Sequence, residues 1–306
     1  MREKTLIVIT GPTASGKSAL AVETAKRLDT EIISADSRQI YKGIPIVTAV
    51  PTLEEMDGIR HHLIEILALE DYYSASEFER DSLEILDNLF EDRDFAIVCG
   101  GSMMYVDALC NGIDELPTVP ETIRRSLMKE WGARGDEWLL EQLGQLDPEH
   151  YRRVDRKNMK RVFHAVEISL TAGKPYSSML TGGKRERPFN IIKICLDGDR
   201  SRLFERINNR VERMVESGLE EEARNVAHLR HLNSLNTVGL KEMFSYFDGV
   251  MNREEAIARI QKNTRVYAKK QMTWHKRDKE MYRLDFEKSA KENTEEIIAI
   301  IRNQKL

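Results

Sequence analysis

Apolar residues follow two rhythms along this chain. Short unbroken runs rich in β-branched residues occur at Thr5–Thr10 (TLIVIT), Glu31–Asp36 (EIISAD), Phe95–Gly100 (FAIVCG) and Asn190–Gly198 (NIIKICLDG). Each has the length and composition of a buried strand. Helical spacing separates the first three, at about Gly16–Leu28 and Ser74–Phe90. Strand, helix, strand, helix, strand predicts a parallel sheet covered on both faces. The rhythm changes after Gly112. From about Ile113 to Pro188 no strand-like run occurs. VPETIRRSLMKEWGARG, DEWLLEQLGQLDPEHY and DRKNMKRVFHAVEISLTAGKP read as three amphipathic helices, the last stopping at Gly173 ahead of Pro175. LTGGKRERPF reads as a flexible basic return loop. Past Asp199 the spacing is helical again, with a long helix starting near Asn252. The expected organisation is an α/β core built from residues 1–112 and 189–306, with an all-helical domain inserted at 113–188.

Charge sharpens this picture. The net charge is −4, but it is unevenly spread. Residues 1–112 carry 10 Lys/Arg against 20 Asp/Glu, whereas residues 151–190 carry 10 against 3 and residues 259–279 carry 8 against 1. Two basic windows on an acidic body fit either two solvated helices or two surfaces facing a polyanion. No apolar run approaches the roughly 20 residues of a membrane span. A strand beginning at Thr5 leaves no room for a signal peptide. Cys99, Cys110 and Cys195 are scattered, with no C-x-x-C pair, so neither a zinc site nor a disulfide frame is expected. A cytoplasmic protein is expected.

The chemistry starts at GPTASGKS, residues Gly11, Pro12, Thr13, Ala14, Ser15, Gly16, Lys17 and Ser18. It matches the phosphate-loop pattern, with an apolar strand before it and a helix after it. Glycines let the backbone curl so that N–H groups converge on an anion, Lys17 adds a point charge, and Ser18 offers a hydroxyl to Mg2+. This makes the core P-loop NTPase-like. Asp36 ends the second strand, where carboxyl ends of parallel strands form a ligand crevice. It suits a magnesium ligand, a general base or a cap. Ser102 follows the third strand and faces the same crevice. Arg206, Arg210 and Arg213 share one helix face, apart from the apolar stripe of Leu203, Ile207, Val211 and Met214. They suit a pyrophosphate or pairing with carboxylates. His61 and His62 would point to opposite faces of a strand, which favours a structural role over a metal site. The three tryptophans read as packing residues, although Trp274 lies within a basic helix where stacking on a base is open.

In order, GPTASGKS, IISADSRQIYKG, HHLIEI, VCGGSMMYVDALCNG, RINNRVERMVESGLEEEARNV and YAKKQMTWHKR strongly resemble the tRNA dimethylallyltransferase (tRNA isopentenyltransferase) family, from Thr5 to about Arg277. The resemblance implies transfer of a dimethylallyl group from its diphosphate to N6 of the adenosine 3′ to the anticodon. The loop and Arg210 would then hold the diphosphate, with Mg2+ on Ser18. Asp36, Ser102 and Arg206 would be catalytic. Contacts to the tRNA anticodon stem-loop would come from Asp36, Ser37, Arg38, Gln39, Ser102, Arg124, Lys160, Arg161, Val162, Phe163, His164, Lys270, Gln271 and Trp274. The chain departs from the family pattern at Asn158, His164, Leu240 and Lys270. A monomer with no membrane partner is expected. The phosphate loop with a lid-like helical insertion also fits a small-molecule or nucleotide kinase, and the departures fit a tRNA-binding protein that has lost its activity.

Overall fold

The computed structural model describes residues 4–304. Six strands form one parallel sheet in the order β3-β2-β4-β1-β5-β6: β1 Thr5–Thr10, β2 Ile32–Ser34, β3 His61–His62, β4 Phe95–Cys99, β5 Asn190–Asp197 and β6 Tyr282–Asp285. Four of them coincide with the apolar runs. The other two lie at the sheet edges and have no such run. β3 is two residues long, and β6 buries only Leu284, leaving Tyr282, Arg283 and Asp285 exposed. The segment after Asp199 is therefore not all helical.

The alternation of side chains along each strand sorts the core into two layers. Leu6, Val8, Ile33, Ala96 and Val98 face one cluster. Ile7, Ile9, Ile32, Ile97, Ile192, Ile194 and Leu196 face the other. The second layer is closed by α1 (Lys17–Leu28), which contributes Leu20, Ala21 and Ala25, and by the C-terminal helix Ala290–Asn303 with Ile297 and Ile301. The first is closed by α2 (Pro45–Thr48), α4 (Ala75–Asp92) and α5 (Met103–Asn111), and by helices late in the chain, while the short α3 (Leu53–Met56) buries no residue. Ser74 begins α4 with a full capping box to Glu77.

One buried carboxylate ties an early segment to a late one. Glu222 accepts from the N–H of Ile46 (2.7 Å) and of Val47 (2.8 Å), at the start of α2. Glu222→Ala leaves both donors without a partner. It is expected to cost about 1–3 kcal/mol, read as a lowered midpoint in a thermal melt, with no direct effect on any ligand.

The chain divides into two compact units, one of residues up to Asn111 with those from Glu186 onward, the other Gly112–Arg185. In the second unit, α6 (Glu121–Leu146) breaks at Gly135, whose φ of 81° and ψ of −175° leave the helix. It is followed by α7 (Pro148–Arg153) and α8 (Met159–Ala172), the latter stopped by Gly173 in the left-handed conformation. Leu127, Leu139, Leu143, Val162, Ala165 and Val166 form its core. The return loop ends in the first unit. Its Arg187 is buried there, donating to Glu79 (2.5 Å) and to the carbonyl of Leu109 (2.8 Å). Not all of the first basic window is surface.

Candidate active site

The carboxyl ends of β1, β2 and β4 bring three segments together. After β1 comes the phosphate loop. Gly16 caps α1 at a φ of 93°, a conformation that side chains other than glycine's rarely adopt. The first-turn N–H groups of α1 thus open toward an anion. Lys17 folds back over the loop, its Nζ donating to the Pro12 carbonyl at 2.8 Å. Burial pushes the Lys17 ammonium down to about 8, and the nearby Arg210 adds to the fall while Asp36 opposes it. Ser15 Oγ is buried without a hydrogen-bond partner.

After β2, Asp36 turns the chain. Its Oδ1 accepts from the N–H of Arg38 (2.9 Å) and of Gln39 (3.3 Å). One oxygen therefore caps the turn, one of the three roles the sequence allowed, while the carboxylate still borders an open cleft. After β4, the backbone passes so close to Ala35 that a Cβ on Gly100 would stand 2.1 Å from the Ala35 carbonyl oxygen. Ser102 is buried here. Its N–H donates to that carbonyl (3.1 Å), and its Oγ accepts from the Ser37 N–H (2.9 Å). The hydroxyl keeps its proton to donate.

The cleft has a volume of about 700 Å³ and lies wholly within the first unit. Asp36, Ser37, Arg38, Arg210 and Lys270 line it, and Thr13 is the one phosphate-loop residue that reaches it. Arg210 belongs to α9 (Arg200–Glu216), which follows β5, and burial lowers its affinity for its proton while Asp36 opposes that. Arg206, one turn earlier, lies elsewhere: its guanidinium sits 4.8 Å from the centre of the Phe286 ring, and it does not line the cleft. The next helices are α10 (Leu219–Val226) and α11 (Leu240–Phe247). Between them, Asn236, Thr237 and Gly239 line the far wall, with Lys241 of α11.

The long basic helix is α12 (Arg253–His275), capped by Asn252 with Glu255. Tyr267 on it is, among the described residues, the only aromatic one lining the cleft. Tyr267 is 39% exposed, so its ring can be reached from the cleft. Sequence reasoning missed it, although it lies one helical turn before Lys270 and Gln271. The last turn of α12 grips the base of the loop. Thr10 Oγ1 donates to the Gly100 carbonyl (2.9 Å), so the His275 Nε2 at 3.0 Å must donate to Thr10. Burial, with Lys17 and Arg283 nearby, lowers the His275 ring to about 4 and keeps it neutral.

Several residues expected to touch RNA also bond or pack within the protein. Gln271 is buried and bonded at both ends of its amide. Arg38 donates to the carbonyls of Asn233 (2.8 Å) and Ser234 (3.1 Å), though it also borders the cleft. Gln39 donates to Ala49 (2.8 Å) and Thr48 (3.2 Å). Trp274 packs against the core. In the second unit Val162 is fully buried and Phe163 packs against Trp131. Helical periodicity turns Val162 wholly inward, so its side chain is not on a surface, whereas Phe163 stays half-buried. Lys160, Arg161 and His164 are exposed. Arg124 holds the buried Glu167 with two bonds (2.9 and 3.1 Å), and His164 lies 3.1 Å from the same carboxylate. Burial works against the Glu167 carboxylate, but its bonds to His164 and Arg124 more than offset this and hold it below its ordinary range.

Among the described residues no group of three or more His, Cys, Asp or Glu could hold a metal. The Ser18 hydroxyl is exposed on the first turn of α1. This donor set fits a magnesium ion held mainly by a ligand's phosphate oxygens and water, with Ser18 as its one protein contact. No helix among the described residues is long and apolar enough to cross a membrane.

The chain is similar to known proteins in both sequence and fold. The IPP transferase family model matches residues 39–278. The chain is 51% identical over 276 residues to tRNA dimethylallyltransferase 2 of Parabacteroides distasonis, covering 90% of this chain and 92% of that protein. It is 50% identical over 277 residues to tRNA dimethylallyltransferase 1 of Bacteroides thetaiotaomicron, covering 90% of each. The solved tRNA isopentenylpyrophosphate transferase of Bacillus halodurans superposes with a TM-score of 0.73 at 34% identity, covering 99% of this chain and 96% of that one. A eukaryotic dimethylallyltransferase, solved acting on tRNA, superposes with a TM-score of 0.78 at 26% identity, covering 92% and 74%.

Proposed function

The chain belongs to the IPP transferase family, and from that premise we propose that it transfers a dimethylallyl group from dimethylallyl diphosphate to N6 of the adenosine 3′ to the anticodon in tRNA. It is a transferase of the tRNA-modifying class, and the kinase alternative is not favoured. The observation that carries the reaction is the juxtaposition of Asp36 with Thr13 and Arg210 in one cleft. An anion grip and a carboxylate meet there.

The reaction balances with these groups. The N6 amine forms a bond to C1 of the dimethylallyl group. The C1–oxygen bond breaks, and its electron pair leaves on the diphosphate. The N6 proton passes to the Asp36 carboxylate. Lys17, Arg210 and the α1 N-terminus stabilise charge as it grows on the departing oxygen. Ser102, holding the Ser37 N–H, fixes the Asp36 turn and keeps a hydroxyl donor for the base or the diphosphate. Magnesium, bound through Ser18 and the diphosphate, would supply further neutralisation of the leaving group.

The adenosine must leave its stack to reach Asp36. Tyr267 offers a replacement aromatic face. Tyr267→Ala is expected to raise KM for the RNA roughly five- to hundredfold, as loss of one base–aromatic stack implies. Tyr267→Phe is expected to behave as the wild type in the same steady-state assay. Exposed Lys160 and Arg161 in the second unit and Lys270 in the first are proposed to meet RNA phosphates. A monomeric, cytoplasmic enzyme fits a substrate held as one tRNA at a time.

Incubation with dimethylallyl diphosphate, Mg2+ and unmodified tRNA is expected to yield N6-isopentenyladenosine in digested RNA by mass spectrometry. Phosphorylation of a small molecule from ATP, with no modified nucleoside, would refute the assignment.

A further inference from the structure

The phosphate loop spends one of its own N–H donors on a side chain from the far end of the sequence. The Thr13 N–H donates to Gln271 Oε1 at 2.9 Å, and Gln271 Nε2 donates to the Gly101 carbonyl at 2.9 Å. The side chain is 2% exposed, so it is held at both ends and shielded from water. Gly101 is shaped to receive it, since a Cβ there would stand 2.4 Å from Gln271 Nε2. Thr13 is also the only residue of Gly11–Ser18 that lines the cleft containing Asp36. The plugged donor therefore lies where the loop opens toward the acceptor.

We propose that Gln271 sets the length of polyphosphate that the loop accepts, admitting two phosphoryl groups and refusing a third. This rests on the assignment of the loop as a grip on a diphosphate ester. A phosphate docked at the N-terminus of α1 is served by the first-turn N–H groups and Lys17. A chain of phosphates running from there toward Asp36 next meets Thr13. A third phosphoryl group at that point brings charge that must be given donors once water is stripped away. It finds the Thr13 N–H already taken by the buried Gln271 amide. An allyl group needs no donor. The same spent donor that leaves a phosphoryl group unserved thus passes an apolar substituent toward Asp36, and a loop sequence shared with nucleotide sites is kept from holding nucleoside triphosphates.

The test is calorimetric titration of pyrophosphate and of tripolyphosphate, with magnesium present, into the wild type and Gln271→Ser. The wild type is expected to bind pyrophosphate at least tenfold more tightly than tripolyphosphate. Gln271→Ser frees the donor and the space, and is expected to bring the two affinities within about threefold, chiefly by strengthening tripolyphosphate. Gln271→Met keeps the bulk but removes the amide oxygen that occupies the Thr13 N–H, and is expected to narrow the preference less than Gln271→Ser does. Equal binding of both anions by the wild type would overturn the proposal, as would an unchanged ratio in a Gln271→Ser protein with normal pyrophosphate affinity. If Gln271→Ser does not fold, the wild-type ratio still decides. Failure of the wild type to bind pyrophosphate at all would overturn the diphosphate assignment as well, and so is distinct from equal binding.

Discussion

Asp36→Asn is expected to lose transfer by about a hundredfold or more in kcat, the range of a positioned general base, while binding pyrophosphate at least as tightly as the wild type. Asparagine keeps an Oδ1 to accept from the Arg38 and Gln39 N–H groups, so the turn survives. What disappears is the charge that takes the N6 proton. The same charge repels the diphosphate, so its removal favours anion binding at Lys17 and Arg210. Single-turnover rates with saturating tRNA, beside pyrophosphate titration, separate the two effects. A rate within tenfold of the wild type, or a parallel loss of rate and anion affinity, would show that Asp36 only shapes the loop.

Lys17→Met is expected to lose about a hundred- to a thousandfold in transfer, as removal of one preorganised donor to a growing anion does. Its loss should also appear in pyrophosphate affinity. The pH dependence carries a definite sign. In the free protein Lys17 gives up its proton near 8 rather than 10.5, because burial disfavours the ammonium. Diphosphate binds the charged form, so affinity in the wild type is expected to fall as pH rises through 8, with proton uptake on binding. Calorimetry in buffers of different ionisation enthalpy measures that uptake directly. Lys17→Met should show neither. The lowered folded-state value also opposes folding. The cost is present in full below pH 8 and is relieved between 8 and 10.5, as the unfolded lysine also loses its proton. Lys17→Met should therefore be more stable than the wild type at neutral pH, by about 3 kcal/mol at most. A melt showing the reverse would mean that the Lys17–Pro12 bond outweighs desolvation.

Much of the scaffold was legible because its signals are local. β1, β2, β4 and β5 announced themselves as apolar runs, and the break at Gly135 and the stop at Gly173 as glycines. The two edge strands carried no such signal: β3 is too short, and β6 keeps three of its four side chains in water. Of the site, GPTASGKS and Asp36 were legible as residue types in the right strand context, and the paired arginines of α9 as a helix face. Which arginine reaches the cleft was not. Arg206 and Arg210 share a face by periodicity, yet Arg206 lies over the Phe286 ring from late in the sequence while Arg210 lines the cleft.

The chain's own order of residues thus settles its chemistry and its class: a phosphate loop behind a buried strand, a carboxylate at the next strand end, and a family pattern spread over most of its length. Those features depend on backbone conformation and on neighbours a few positions away. The assignment of polar residues to ligand or to scaffold needed the folded chain. Arg38, Gln39 and Gln271 look alike in sequence, as polar residues in functional motifs. Arg38 spends bonds on carbonyls 195 and 196 positions away, and Gln271 on a loop 258 positions away. Hydrogen bonds are short-ranged in space and indifferent to separation along the chain, so no local pattern could reveal which donors the protein would keep for itself.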